Sequence, residues 1–518
     1  MKIEKLCNEL NEILQTIIDN ESKIDLTISE IHEEYKSSAK NLCRYLILRS
    51  YDLRKYHASL SDYGVSSLGT SEGYVYSNLY SVVRNLKLIQ GLPVDEKSNI
   101  EIIGYERSSE LIKRNANNLF NPGSRSNFTE IMVTLPNEAA DDKSIIEEMV
   151  ASGMEIARIN LSHGDIDIWT KMVQFVREIK TETQQELKIY MDLSGPKIRT
   201  ATIEIKDKKG KIKNGIPIRV GEQIILTKRN TLGKKSKFGK NNEQLKKAEI
   251  GVLLPEIIDD VKINDVVLFD DGMIKSVVVS KTDEDVELLI TNCYKSKLSS
   301  QKGINLPDTK LNLPALTEKD IENLSFVCEN ADIVGYSFVR TANDVQHLYE
   351  QLNLNNATNL GVVFKIENKE AFENLPFILL EGMKRDKIGV MIARGDLAVE
   401  IGFERSSEVQ NQILWLCEAA HIPVIWATQV LENLAKTGIP TRAEISDVVQ
   451  GVQAECIMLN KGPFINDAIK MLKNILIRME AHSFKKKNSL RALNIAKNSV
   501  NQLIGDINNK PKNKKNEI

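Results

Sequence analysis

A chain of 518 residues, 42% hydrophobic and 27% charged, is long enough for several domains, and its formal net charge of -2 gives no electrostatic reason to bind nucleic acid or a membrane surface. Its six cysteines (Cys7, Cys43, Cys293, Cys328, Cys417 and Cys456) show no Cys-x-x-Cys spacing, which argues against a disulfide framework or structural zinc. The N-terminal stretch MKIEKLCNELNEILQTIIDNE carries acids throughout and lacks an uninterrupted apolar core, so neither a secretory signal nor a spanning helix is expected, and a cytoplasmic protein is.

Residues 1–125 read as a helical extension. Apolar Leu6, Leu10, Ile13, Leu14, Ile17 and Ile18 recur at helical spacing, and a second amphipathic stretch runs from Tyr35 to about Leu60. The polar junction NPGSRSN, Asn121 to Asn127, closes the block. From Thr129 the pattern becomes strand then helix, repeated, with candidate strands at 131–135, 155–160, 188–192, 332–338, 361–366, 387–393, 423–428 and 455–459. That number of strands alternating with helices predicts an α/β fold, a closed (β/α)₈ TIM barrel. One connection is too long for a βα loop. Between Asp192 and Asp332 lie short Val- and Ile-rich runs with turns (IPIRVGEQIILTK, VVLFDDGMIKSVVV, DVELLITNC), which predict an inserted all-β domain over the barrel face that carries active sites. The expected organisation is therefore a barrel in two parts, 126–200 and 306–484, a β lid at 201–305, and a Lys- and Asn-rich tail at 485–518 that reads as solvated and partly disordered.

In such a barrel the polar residues at the C-terminal ends of strands are the ones to interrogate. They are Arg158 and Asn160, with Ser162 and His163 just after, then Asp192, Ser337 and Arg340, Lys365 and Glu367, Asp396, Thr428, and Asn460 with Lys461. Single polar ends mean little, because the following helices want Ser, Thr, Asn or Asp as N-caps. Lys365 and Glu367, two apart on an extended segment, project to the same side. Glu367 and Asp396 read either as ion-pair partners of Lys365 and Arg158 or as two oxygen ligands for Mg²⁺ or Mn²⁺, with the remaining positions left for substrate and water. There is no His-x-x-x-His or Cys/His cluster to suggest zinc, and no G-x-x-x-x-G-K-[ST] loop, so a nucleotide would not sit on a Walker cradle.

The motifs ARINLSHG (157–164), MDLSGPKIRT (191–200), DDG (270–272), SSQKGINLPD (299–308), FKIEN, ARGDL, ATQ and PTRAE resemble those of the pyruvate kinase family in order and spacing, over about residues 129–482. The resemblance implies a barrel A domain, a β-barrel B domain as lid, and the glycolytic transfer of a phosphoryl group from phosphoenolpyruvate to ADP with formation of ATP. It assigns Lys365, Arg158 and Thr428 to catalysis. Arg158, Gly395, Asp396, Thr428, Lys302 and Ser337 contact substrate, and Glu367 and Asp396 hold Mg²⁺ or Mn²⁺. Asn160, His163 and Arg199 meet the nucleotide. It also implies a monovalent-cation site at Asn160, Ser162, Asp192 and the carbonyl of Leu193. K⁺-dependent members carry Glu where this chain has Lys197, so K⁺ is not expected to be required. Phosphoenolpyruvate and a nucleoside diphosphate are the expected partners, in a homo-oligomer. Three features depart from the family. The segment after the first strand reads TLPNEA, with Pro136 and Asn137 in place of Gly-Pro, and the segment after the eighth reads Asn460-Lys461-Gly462-Pro463. The helical block precedes the barrel, where the family has a C-terminal domain after it. Two other classes stay open: a Mg²⁺-dependent aldolase or lyase acting on pyruvate enolates, and a non-catalytic effector-binding relative.

Overall fold

The computed structural model describes residues 1–94, 102–120, 129–206 and 210–480. The junction at Asn121–Asn127 and the tail at 485–518 lie outside them. Eight parallel strands close into a barrel in chain order: β1 (Glu130–Thr134), β2 (Ile156–Asn160), β3 (Lys188–Asp192), β4 (Ile333–Tyr336), β5 (Gly361–Ile366), β6 (Ile388–Ala393), β7 (Val424–Ala427) and β8 (Cys456–Leu459). All eight lie within a residue or two of the runs predicted from sequence, because each is apolar on both faces, as a strand must be when helices cover one side and the barrel interior the other.

The interior is a separate apolar cluster formed by Met132, Ile156, Tyr190, Ile333, Val363, Met391, Ile425 and Met458. It sets the parity of the whole barrel. Side chains alternate along a strand, so the residue two positions beyond an inward one also faces inward, nearer the C-terminal mouth. Arg158 follows Ile156, Asp192 follows Tyr190, and Lys365 follows Val363.

The first helix, α1 (Ile3–Asp19), buries Leu6, Leu10, Ile13, Leu14 and Ile17 as its period requires. The second amphipathic stretch is not one helix. It breaks after α2 (Lys36–Arg49) into a 3₁₀ turn at Leu53–Tyr56 and a short helix at His57–Asp62, because the Asp52 side chain accepts a hydrogen bond from the Arg54 backbone N–H and starts a new turn. With α3 (Val75–Ile89) these helices pack on one another, and α2 with the 3₁₀ turn at Glu72–Tyr74 lies against the barrel's outer helix at Ser406–Ala419. The Asn41 amide donates to the carbonyls of Glu72 (2.7 Å) and Ala419 (2.8 Å), and the buried His421 ring lies 3.0 Å from Ser38 Oγ and 2.9 Å from Gly73 O. The next helix, α4 (Tyr105–Leu119), ends at the N-terminal mouth, where Leu119 and Phe120 join the interior cluster. Gly361 and Gly389 make the room: a Cβ on either would lie 2.7 or 2.6 Å from a Leu119 methyl.

Between β3 and β4 the chain builds a six-stranded sheet from Gln223–Thr227, Ala248–Gly251, Val266–Phe269, Ile274–Lys281, Asp285–Cys293 and Ile304–Asn305, around its own apolar cluster that includes Ile224, Val267, Phe269 and Leu288. One helical turn, Ile257–Asp260, interrupts the otherwise β character of this insertion. Among the described residues no helix is long and apolar enough to cross a membrane.

If Leu119 plugs the barrel floor, Leu119→Ala should cost about 2–5 kcal/mol through the cavity it leaves, whereas Leu88→Ala on an exposed helix end should stay within roughly 0.5 kcal/mol. Urea unfolding of the two variants measures the contrast, and equal midpoints would remove Leu119 from the core.

Candidate active site

The inward residues of β2, β3, β4 and β5 meet at the C-terminal mouth. Asp192 is the centre, with a side chain only 1% exposed. The Arg158 guanidinium donates to Asp192 Oδ2 through Nε at 3.1 Å and through Nη2, and its Nη1 donates to Thr134 Oγ1 at 2.8 Å. The Lys365 ammonium reaches Asp192 Oδ1 at 3.1 Å, Glu367 Oε1 at 3.0 Å and Ser337 Oγ at 2.7 Å, and Ser337 in turn donates to the Leu193 carbonyl at 2.6 Å. Burial alone would neutralise these groups, pushing Asp192 up and Lys365 down. The facing opposite charges outweigh it, so Asp192 titrates below its ordinary range and Lys365 above its own. Gly335 permits the close approach: a Cβ there would lie 2.1 Å from Tyr190 Oη and 2.5 Å from Asp192 Oδ1.

Glu367 is the carboxylate with least support. Burial first, and then the negative charges of Asp396 and Asp192, raise it despite Lys365. Its Oε2 accepts from the Phe338 N–H at 2.9 Å. Asp396 lies in the first turn of α5 (Arg394–Ile401). Among the described residues no three His, Cys, Asp or Glu side chains group as a metal cage. Two mutually repelling carboxylates that face a mouth fit a hard divalent cation that takes its other ligands from substrate and water, the usual habit of Mg²⁺.

Thr428 follows β7 in left-handed backbone (φ 64°), which is costly for a β-branched residue. Its neighbours hold it there: the Gly395 N–H donates to Thr428 Oγ1 at 2.8 Å, and Arg394, whose Nε donates to Ala427 O at 2.9 Å, also reaches the Thr428 carbonyl. Asn160 Oδ1 accepts from the Ser162 N–H at 3.1 Å, and His163 is exposed beside them. Residual burial and the cations Lys461, Arg199 and Arg158 hold its imidazole below the ordinary range.

Two expected site lysines are paired with carboxylates. Lys302 Nζ pairs with Asp270 of the insertion at 3.0 Å, and Lys295 binds the same carboxylate. Lys197 Nζ lies 3.0 Å from both oxygens of Asp396, and none of its described bonds goes to Asn160, Ser162, Asp192 or Leu193. Sequence reading also passed over two residues that tie the insertion to the barrel. Buried Asp320 accepts from the N–H groups of Ser194 (2.9 Å) and Gly195 (3.1 Å), where the chain leaves β3; its signal, the capping pattern Thr317-x-x-Asp320, was available. Glu400 accepts from Asn305 Nδ2 at 2.8 Å, where the chain returns.

Fold and site together define a (β/α)₈-barrel protein with a β insertion after its third strand and a cation and carboxylate cluster at the strand ends. The family model for the pyruvate kinase barrel domain matches residues 126–463. A pyruvate kinase of Bacillus licheniformis is 32% identical over 387 residues, covering 73% of this chain and 61% of its own length, and that of Geobacillus stearothermophilus is 32% identical over 361, covering 68% and 57%. A crystal structure of a pyruvate kinase from Cryptosporidium parvum superposes with a TM-score of 0.60 at 27% identity, covering 71% of this chain and 70% of the other. The chain belongs to the pyruvate kinase family, and it spans about three fifths of the length of the bacterial relatives named.

Burial, with Asp396 and Asp308 adding to it, pushes Glu400 up to about 7 against the pull of its Asn305 hydrogen bond. A raised carboxyl favours the folded state below the unfolded value near 4.3 and loses that contribution as pH rises through about 7. Tm should therefore fall over that window in the parent protein and be flatter in Glu400→Gln; parallel Tm profiles would show that Glu400 is solvated.

Proposed function

We propose that the chain transfers the phosphoryl group of phosphoenolpyruvate to a nucleoside diphosphate. The observation that carries the reading is the convergence of Arg158 and Lys365 on Asp192 at the barrel mouth, beside the carboxylates Glu367 and Asp396. In the reaction a terminal phosphate oxygen of the diphosphate attacks phosphorus and the bond from phosphorus to the enol oxygen breaks. The electron pair stays on that oxygen, and the enolate takes a proton from solvent at its methylene carbon to give pyruvate. Nothing here asks for a covalent nucleophile. The work is to position two anions and to offset charge as it builds on the transferring group and on the enolate oxygen.

Arg158 is held rigid by Asp192 and Thr134, so its guanidinium is preorganised for phosphoryl oxygens. Lys365, charged and buried, is the cation for the group in flight. Thr428, with the Ala393–Asp396 turn it braces, faces the substrate carboxylate. The paired charges around Asp192 are balanced before substrate arrives, so an anionic substrate needs cationic company. A Mg²⁺ or Mn²⁺ on Glu367 and Asp396 would supply it as a Lewis acid.

Pyruvate formation from phosphoenolpyruvate, assayed with ADP, GDP or UDP, should require nucleotide. Metal-dependent aldol cleavage without nucleotide would select a lyase instead, and neither activity would leave a binding protein. Lys365→Met should lower the rate by about 10²–10³-fold or more, because this cation acts on charge that develops in the transition state. Near-normal kcat in that variant would sink the assignment. Glu367→Gln and Asp396→Asn should instead raise the metal concentration needed for half-maximal rate.

Independence from K⁺ is the second part of the proposal. Lys197 stands where K⁺-dependent members carry Glu and adds a cation at Asp396, and Asp192 already faces two cations that would repel a third. In tetramethylammonium buffer of constant ionic strength, adding K⁺ should raise the rate by less than about tenfold. A larger rise rejects it, and Lys197→Glu should create such a dependence.

A further inference from the structure

Lys197 makes a bond that a monovalent-cation substitute does not require. Its ammonium sits 3.0 Å from Oδ1 and 3.0 Å from Oδ2 of Asp396, so it faces both oxygens of one of the two carboxylates that would hold the divalent metal. Both side chains are mostly covered, at 32% and 22% exposure, so water screens the pair only in part. The stem of Lys197 also runs past the insertion, where a Cβ on Gly303 would lie 3.9 Å from Lys197 Cε. The other carboxylate, Glu367, also feels the Lys197 charge, which opposes the repulsion from Asp396.

We infer that Lys197 is a tethered placeholder cation: its ammonium occupies the Asp396 carboxylate in the metal-free protein and must leave when a divalent ion binds there. Two cations cannot share one carboxylate at contact distance without strong repulsion, and an ion using either Asp396 oxygen removes one of the acceptors the ammonium holds. Three consequences follow from that competition. The carboxylate pair is kept from repelling itself while empty, the metal binds more weakly than two carboxylates alone would allow, and metal entry frees a residue on the segment leading into the insertion.

The inference rests on the assignment of Glu367 and Asp396 as metal ligands, so the test reads metal binding in the substrate-free, full-length protein and uses no turnover. Free Mn²⁺ is followed by electron paramagnetic resonance during titration, at constant ionic strength. Lys197→Met should tighten Mn²⁺ binding by about fivefold or more, the scale of a partly covered ion pair. Lys197→Arg, which keeps a cation in reach of Asp396, should stay near the parent affinity, and Lys197→Gln, a polar replacement, should tighten it as Lys197→Met does. In an Asp396→Asn background the effect of Lys197→Met should disappear. Unchanged or weaker Mn²⁺ binding in both Lys197→Met and Lys197→Gln overturns the placeholder. Should Asp396→Asn and Glu367→Gln leave Mn²⁺ affinity unaltered, the metal assignment itself falls, a distinguishable result.

Discussion

The Asp192 carboxylate, almost without solvent and shared by Arg158 and Lys365, is the constraint on which the mouth of the barrel depends. A buried charge is tolerated only when paired and hydrogen-bonded, and removing one partner leaves the rest expensive. Here the pairing is close to neutral: two cations against Asp192 and Glu367, with Ser337 and Thr134 satisfying remaining donors. The same apolar interior that drives barrel closure delivers these residues, because strand parity carries Ile156, Tyr190 and Val363 inward and therefore Arg158, Asp192 and Lys365 as well. Stability and chemistry thus share one geometric cause, and Gly335 is its clearest sign: no side chain fits where Tyr190 and Asp192 already stand.

The insertion is tied to this mouth by polar links, each made to a barrel carboxylate. Asp320 grips the outgoing strand end at Ser194 and Gly195, Asp396 holds Lys197 a little further on, and Glu400 accepts from Asn305 on the way back. Asp396 and Glu400 sit on the same short helix, α5, so the group expected to bind metal and the group that fastens the returning strand share one element.

The N-terminal helices act at the opposite end. Leu119 and Phe120 close the N-terminal mouth, and Asn41, Asn115 and His421 stitch the extension to the barrel through buried hydrogen bonds. These helices lie outside the residues that the family model matches, and none of their contacts described above reaches the cation and carboxylate cluster. α1 spends its apolar stripe on α2 and α3, and the extension meets the barrel through α2 and α4.

Much of this was legible in the chain itself. The eight strands showed as apolar runs of strand length, the insertion as a long interval without helical period, and the site residues as polar ends of successive runs, because those signals are local and repeat with the fold's own period. The break of the second helix was missed, since a single Asp52 side chain outcompeted a pattern that otherwise continued helical. Partner choice beyond the Lys365–Glu367 pair was not legible. Sequence placed Lys365 beside Glu367 two residues away, but that Arg158 and Lys365 share Asp192, that Lys302 answers Asp270, and that Lys197 lies on Asp396 depends on side chains 32 to 199 residues apart along the chain. Only closure of the barrel and the path of the insertion bring them within 3 Å or so, and a charge has no period by which sequence could announce its partner.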